Sequence, residues 1–473
     1  MKLWGLAAGI AIFAMFLILP APDGLSPAGW RVAALLALMI TWWVSEAVPL
    51  AATAFLPLIL LPLLGVGTAD KVAASYASPL LGLVFGGGMI AVAAGKAGLH
   101  RKLARFAVRV GGGGPRGLML ALMIATGVLA MWMATSIATI FMLEIGLAVI
   151  AAAIGVAPGD AIEDPQARGF AKAMIIGIAY AAAFGGFSTL TGSPVNAAAV
   201  GLIARQTGVQ IGFAQWLTFG LPIAAVGVLL AWAILVGGVF RFRIELPSRA
   251  ALTAALELGP EPAIAQARVM AVAGATVLAL IATPFLRPLL PALSDAAVAL
   301  TGALILFILP SGEAKGERLL SWEDTRSAPW GVLVIIGGAL ALSTALAGSG
   351  LAVWIAGPLR GVSGAPPWLA LLGLVAGVTL LTEVVNNFAA MAIAVPAATA
   401  MAVALGVDPI PFAVAVTIAA SGGFIVPGPP WLTLAVAAPP VAFRDLVRSG
   451  AWFLIVTPPL VTAACLLVAG ATR

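Results

Sequence analysis

Two residue types that many enzymes rely on are almost missing from this chain: it holds one cysteine, Cys465, and one histidine, His100. A lone thiol excludes an intrachain disulfide, and a lone imidazole excludes a His-cluster metal site. There is no His pair, no cysteine nucleophile with a partner and no acidic metal motif, so a membrane-embedded enzyme would lack its catalytic constellation. Charge is equally scarce, since Asp, Glu, Lys and Arg make up 9% of the 473 residues. A soluble domain of this length could not cover its surface with so few polar groups.

What fills the chain instead is apolar. Hydrophobic residues reach 62% and the mean hydropathy is +1.13. Runs of spanning length recur from end to end, which defines an all-α polytopic membrane protein. Eleven spans are expected, near residues 3–20, 29–48, 51–66, 79–97, 171–203, 215–240, 267–286, 293–310, 329–349, 409–434 and 449–471. The run Leu3–Pro20 follows Lys2 but lacks a small-residue cleavage site after it, so it reads as a retained first helix rather than a signal peptide. The net charge of +6 does not call for a nucleic acid partner, because the basic residues sit in loops between spans.

Two longer apolar stretches, 115–156 and 366–405, are interrupted by polar residues at 134–139 and 382–387. With both read as re-entrant hairpins and the N-terminus in the cytoplasm, six basic residues fall outside: Arg31, Lys71, Arg205, Arg287, Arg360 and Arg473. The remaining 18 of the 24 fall inside or at inner span ends. The inner clusters are Arg101-Lys102-Arg105-Arg109-Arg116, Arg241-Arg243-Arg249, Lys315-Arg318-Arg326 and Arg444-Arg448, a clear positive-inside bias. Polar backbone at mid-membrane is tolerated where protein or a water-filled cavity covers it.

The chain also repeats itself. Gly87-Gly88 followed by Gly98-Leu99 aligns with Gly337-Gly338 followed by Gly350-Leu351. A short amphipathic segment, a turn and an interrupted hairpin come next in both halves. Further on, Ala183-Phe184-Gly185-Gly186-Phe187 matches Ala420-Ser421-Gly422-Gly423-Phe424, and Gly192-Ser193-Pro194 matches Gly428-Pro429-Pro430. The segment His100–Arg109 is strongly basic, whereas its twin 351–361 carries only Arg360, so the copies belong on opposite faces. An inverted repeat with broken helices near the midplane is the signature of a secondary transporter.

Four sites then converge: the first tip with Thr135, Ser136 and Thr139; the break Ser188–Asn196; the second tip with Asn386 and Asn387; and the break Pro427–Trp431. Half-helix N-termini favour anions and freed carbonyls favour cations. Hydroxyls and amides give donors and acceptors without a permanent charge, so a bound anion is also released. Substrate contacts are expected from Thr135, Ser136, Thr191, Ser193, Pro194, Asn386, Asn387 and Pro429. Cation contacts are expected from Thr135, Gly192, Asn196, Thr382, Asn387 and Gly428. A lone serine or threonine in a membrane helix often bonds the preceding turn instead, and a lone proline often marks a kink. Their recurrence in register with the repeat favours a substrate pathway. Among the carboxylates, Glu46 reads as a helix-end brace. Glu144, about two turns past the first tip, is the candidate proton carrier if it is buried. Lys96 reads as a snorkelling span end.

Several runs resemble the divalent anion/sodium symporter family of dicarboxylate and sulfate carriers. They are Trp43–Pro57, Gly98–Lys102 after Gly86–Gly88, Trp330–Leu340, and Thr382-Glu383. The resemblance spans nearly the whole chain. It implies a homodimer in the cell's inner (plasma) membrane, in which a scaffold domain holds a transport domain that moves like an elevator. On that reading, residues 1–113 and 267–364 form the scaffold, 114–240 and 365–473 the transport part, and 241–266 a cytoplasmic linker, with the C-terminus outside. It also implies sodium as the coupling ion, no other cofactor, and a small anionic substrate of dicarboxylate or tricarboxylate type. The family carries Ser-Asn-Thr at both tips. Here the tips read Ala134-Thr135-Ser136 and Asn386-Asn387-Phe388, and only Asn387 keeps the family residue. The first break keeps its glycine, a proline and Asn196, while Trp431 stands for the usual asparagine in the second. Phe388 and Trp431 are expected to make that half of the site larger and more apolar. A sodium-independent exchanger, a proton-coupled carrier, and a carrier of sulfate, sulfonate or phosphonate anions are the alternatives.

Overall fold

In the computed structural model of the chain, the residues described are 2–111, 114–156, 161–256, 262–313, 316–351, 354, 364 and 366–471. The first half runs α1 (Lys2–Ile18), α2 (Pro27–Ser45), α3 (Leu50–Thr53), α4 (Leu56–Leu63), α5 (Ala69–Ala73), α6 (Pro79–Lys96) and α7 (Leu99–Val110). It continues with α8 (Pro115–Ala130), α9 (Thr135–Ile154), α10 (Pro165–Phe187), α11 (Pro194–Thr207) and α12 (Phe213–Ala233). The second half holds α13 (Arg249–Ala254), α14 (Ala263–Leu286), α15 (Asp295–Ile308), α16 (Trp330–Gly348) and α17 (Pro367–Leu381). It ends with α18 (Asn387–Ala404), α19 (Pro409–Ala420), α20 (Pro430–Ala437) and α21 (Phe443–Ala471). No strand occurs among the described residues, and nine of their helical segments are long and apolar enough to cross a membrane.

Proline explains many of the starts. It occupies the first turn of α2, α6, α8, α10, α11, α17, α19 and α20. There its missing N–H costs nothing and its fixed φ suits the helix. Ser26, Ser78, Asp164 and Asp408 precede four of these prolines and accept backbone N–H bonds as caps.

The expected span at 51–66 is instead α3 and α4 with a break at Ala54–Phe55. The expected spans at 171–203 and 409–434 are each two helices, α10 with α11 and α19 with α20. Both interrupted stretches are helix pairs, α8 with α9 and α17 with α18. Their second limbs, of 20 and 18 residues, are long enough to span by themselves. The twin segment 351–361, with Arg360, lies largely outside the described residues, as do Lys315 and Arg473.

The packing sorts into two groups. In one, α6 lies on α15, and α16 lies on α3 and α4. The first contact needs glycine, because a Cβ on Gly86 would meet the Ala299 carbonyl oxygen at 2.6 Å. In the other, α8 and α9 wrap α10, and α17 and α18 wrap α19. Both wrapped helices are apolar all round over most of their length, and residues 173–190 and 410–420 are buried without exception. A helix with no polar face belongs in a core. The half-helices cross over: α11 packs on α18 and α19, and α20 packs on α9 and α10. This exchange brings the two breaks together.

Candidate substrate and cation site

At the first break, Pro194 starts α11 but has no N–H to continue α10, so Ser188–Ser193 stay irregular. The first hairpin tip, residues 131–134, lies against this break. Thr189 Oγ1 donates to the Met131 carbonyl, Thr191 Oγ1 reaches the same oxygen at 3.3 Å, and Gly192 N donates to Thr189 Oγ1 at 3.0 Å. The fit depends on absent side chains. A Cβ on Gly192 would sit 2.7 Å from the Ala130 carbonyl oxygen, and one on Gly186 would sit 2.4 Å from Thr135 Cγ2. Thr135 and Ser136 are half-buried there, Ser193 is buried, and Thr139 bonds back to the Thr135 carbonyl at 2.7 Å.

At the second break, Glu383 carries the geometry. Its carboxylate accepts from the backbone N–H groups of Phe424 at 2.7 Å, Ile425 at 3.0 Å and Val426 at 2.9 Å. A bond to a charged acceptor contributes about 1.5–3 kcal/mol, so this side chain holds the irregular segment in one shape. The sequence offered a signal for it, because a carboxylate in an apolar run needs partners. Its partners, however, lie 41 to 43 residues away. Thr382 bonds back to the Thr379 carbonyl at 2.9 Å.

An asparagine amide bridges two carbonyls at each break. Asn196 Nδ2 donates to Gly186 O at 2.9 Å and Thr189 O at 2.8 Å. Asn387 Nδ2 donates to Ser421 O at 3.2 Å and Gly422 O at 3.3 Å. The breaks are joined where Ser421 Oγ donates to Asn196 Oδ1 at 3.2 Å. A half-turn of either amide points its oxygen where its nitrogen now points, among carbonyl oxygens. That all-oxygen set suits a hard monovalent cation.

A cavity of about 460 Å³ opens beside the first tip, lined by Ala134, Ile137, Thr191 and Pro194 on one side and by α6 on the other. Lys96 and Asp324, 3.0 Å apart, also line it. Burial alone would raise Asp324, but the Ser321 N–H and Lys96 outweigh it and hold the carboxyl below its usual range. Lys96 is therefore an ion-pair partner as well as a span end.

Several expected residues lie elsewhere. Asn386 caps α18 through Ala389 N at 3.0 Å and donates to the Trp43 carbonyl at 2.7 Å. That carbonyl belongs to the last turn of α2, which lacks helical partners and ends with Glu46 in a left-handed conformation at φ 49°. Glu46 thus stands at a helix end, as the C-cap of α2. Pro429 is buried, and Gly428 is exposed, with only the Val426 oxygen near the position of a Cβ. Trp431 does not widen the site: it is 3% exposed, with Phe424 at 6.0 Å and Tyr180 at 6.3 Å between ring centroids. Edge-to-face rings of this kind pack as core. Phe388 is half-buried against the same core. Glu144 does not meet the condition of burial set for a proton carrier. Glu144 is exposed, in a stripe with Ile137 and Ile140, while Ala138, Thr139, Met142 and Ile145 form the buried stripe of α9. Helical spacing separates the two faces. Glu144 lines a different cavity, with Arg101.

Broken helices wrapped by hairpins in an all-helical, multi-span chain define a membrane transporter rather than an enzyme. The chain matches the family described as "Sodium:sulfate symporter transmembrane region" over residues 1–469 and belongs to it. It is 31% identical to the "Sodium-dependent dicarboxylate transporter SdcS" of Staphylococcus saprophyticus over 95% of this chain and 88% of that one. The protein of the same name from Staphylococcus aureus strain USA300 is 29% identical, over 96% and 89% of the two chains. The crystal structure of the YdaH transporter of Alcanivorax borkumensis shares the fold, with a TM-score of 0.55 at 14% identity, covering 94% of this chain and 99% of that one.

Proposed function

We propose that this protein is a sodium-coupled carrier of small organic anions of the dicarboxylate class, working by elevator-type alternating access. The joined breaks carry the reading: buried Asn196 and Ser421 with half-buried Asn387 tie four break carbonyls and both halves into one cluster. A cation that engages those carbonyls through turned amides would act on both breaks at once, which is what coupling to substrate requires. The anion is read by the hydroxyls of Thr135, Ser136 and Thr191 and by the start of α11, beside the 460 Å³ cavity. The names of the SdcS relatives support both the ion and the substrate class. α8–α12 with α17–α21 form the moving part, and α1–α7 with α14–α16 form the scaffold. The two halves are an inverted repeat, the N-terminus is cytoplasmic, and the protein works as a homodimer in the inner membrane.

Uptake of labelled succinate into proteoliposomes tests this. An inward sodium gradient should drive accumulation that a potassium gradient does not, and counterflow should occur at equal sodium on both sides. Equal uptake without sodium would favour the exchanger, and uptake that follows a pH gradient would favour proton coupling. The altered tips, with Asn387 alone in the family pattern, are what make those outcomes worth measuring.

A further inference from the structure

A second cavity, of about 410 Å³, lies at the other end of α6, between it, the loop joining α14 to α15, and α11. Arg205 and Arg287 line it, with Asp295 and the apolar walls Leu80, Leu83 and Leu190. Leu190 also lines the 460 Å³ cavity and neighbours Thr191. One leucine thus has a cavity on either side of it. The basic helix α7 marks the opposite face as cytoplasmic by charge bias, which makes this the outer cavity.

Its charge is unusual for this chain. Only six basic residues fall on the outer side by the span pattern, and two of them line this one cavity. The single carboxylate lining it, Asp295, is already engaged. Its Oδ2 accepts from Phe213 N at 2.7 Å and its Oδ1 stands 3.9 Å from Arg287 Nη2. Arg205 forms no ion pair or hydrogen bond with any described residue. Guanidinium groups bind carboxylates in a bidentate manner, and low-dielectric walls focus their field.

We infer that this cavity is an outer vestibule with its own low-affinity site for the transported anion, held by Arg205 and Arg287 before it passes Leu190. The inference rests on the anion-carrier reading above. Arg205 lies on the proposed moving part and Arg287 on the scaffold, so the vestibule is assembled only when the two parts stand as they do here.

The test uses sealed right-side-out vesicles and the full-length protein, with labelled succinate, or labelled sulfate if that is what the wild type carries. Arg205→Gln and Arg287→Gln should each raise KM for the external anion roughly three- to tenfold at low ionic strength while keeping the maximal rate. The difference from wild type should shrink as choline chloride is added, because salt screens the field. KM for the internal anion, from efflux of loaded vesicles, should not move. Arg205→Lys should retain most of the external affinity, and it guards against a folding defect in the glutamine variant. Unchanged external KM, or equal rises from both sides, would overturn the vestibule while leaving the carrier reading intact. Carriage of neither anion by the wild type would overturn both.

Discussion

Ser421 and Asn196, 225 residues apart in sequence, meet at 3.2 Å in a fully protein-enclosed contact. Each stands in a different broken helix, and the contact makes the two breaks one structural unit. Both N–H groups of the Asn196 amide are used in this arrangement, one on each of two carbonyls, and its oxygen accepts from Ser421.

Asn196→Ala should therefore strand two buried carbonyls and cut the link between the breaks, while the Ser421 hydroxyl keeps its bond to the Thr417 carbonyl at 3.0 Å. Lost partners of this kind cost about 1–3 kcal/mol each, so a drop of several degrees in Tm in detergent is expected. The thermal stabilisation that sodium gives the wild type should vanish with it. A variant that unfolds earlier but keeps its sodium response would place Asn196 outside the cation path.

Glu383→Gln replaces a carboxylate that accepts three N–H groups with an amide that brings N–H groups of its own. The second break then loses about 2–4 kcal/mol of charge-assisted bonding. Sodium activation curves for uptake should shift to higher sodium, with substrate KM at saturating sodium nearly unchanged. Equal losses at all sodium concentrations would mean that Glu383 only supports the fold.

Asn386 ties α18 of the proposed moving part to the Trp43 carbonyl of the proposed scaffold. Asn386→Ser shortens the side chain and keeps a cap. About 1 kcal/mol of bias toward this arrangement should go, and turnover should rise or fall by roughly fivefold. Spin labels placed on α2 and α18, in a Cys465→Ala background, would read the change in distance distribution. An unaltered distribution and turnover would show that the bond is not broken during transport.

His100 is buried on α7, stacks on Phe141 at 4.2 Å between ring centroids, and has no partner for Nδ1 among the described residues. Burial, with Arg101 next, pushes it down to about 4. The unfolded chain takes up the proton at higher pH, near 6.5, so stability present above that value is lost as pH falls through 6.5 to 4. His100→Phe should keep the stack and flatten this part of the Tm–pH curve. Parallel curves for the two proteins would assign the acid sensitivity to other groups.

The placement of the tips and breaks was legible in the sequence for a local reason. Thr382–Asn387 and Ser188–Pro194 interrupt apolar runs with polar groups, glycine and proline, and such residues act on the backbone within a turn of themselves. The break inside the expected span at 51–66 is not evident from hydropathy, which averages over Pro57 and Pro62. The exposure of Glu144 follows from its helical face and not from its distance from the tip.

Composition and periodicity thus determined a helical membrane protein with two interrupted hairpins and two broken helices. These follow from desolvation and from the backbone limits of proline and glycine, which each segment obeys by itself. Tertiary structure alone decided that Glu383 fills the amides of Phe424–Val426, that Asn196 meets Ser421, and that Trp431 packs against Tyr180 instead of lining the site. Each of these pairings spans tens to hundreds of residues. A donor or ring carries no mark of its partner until packing has removed water from both.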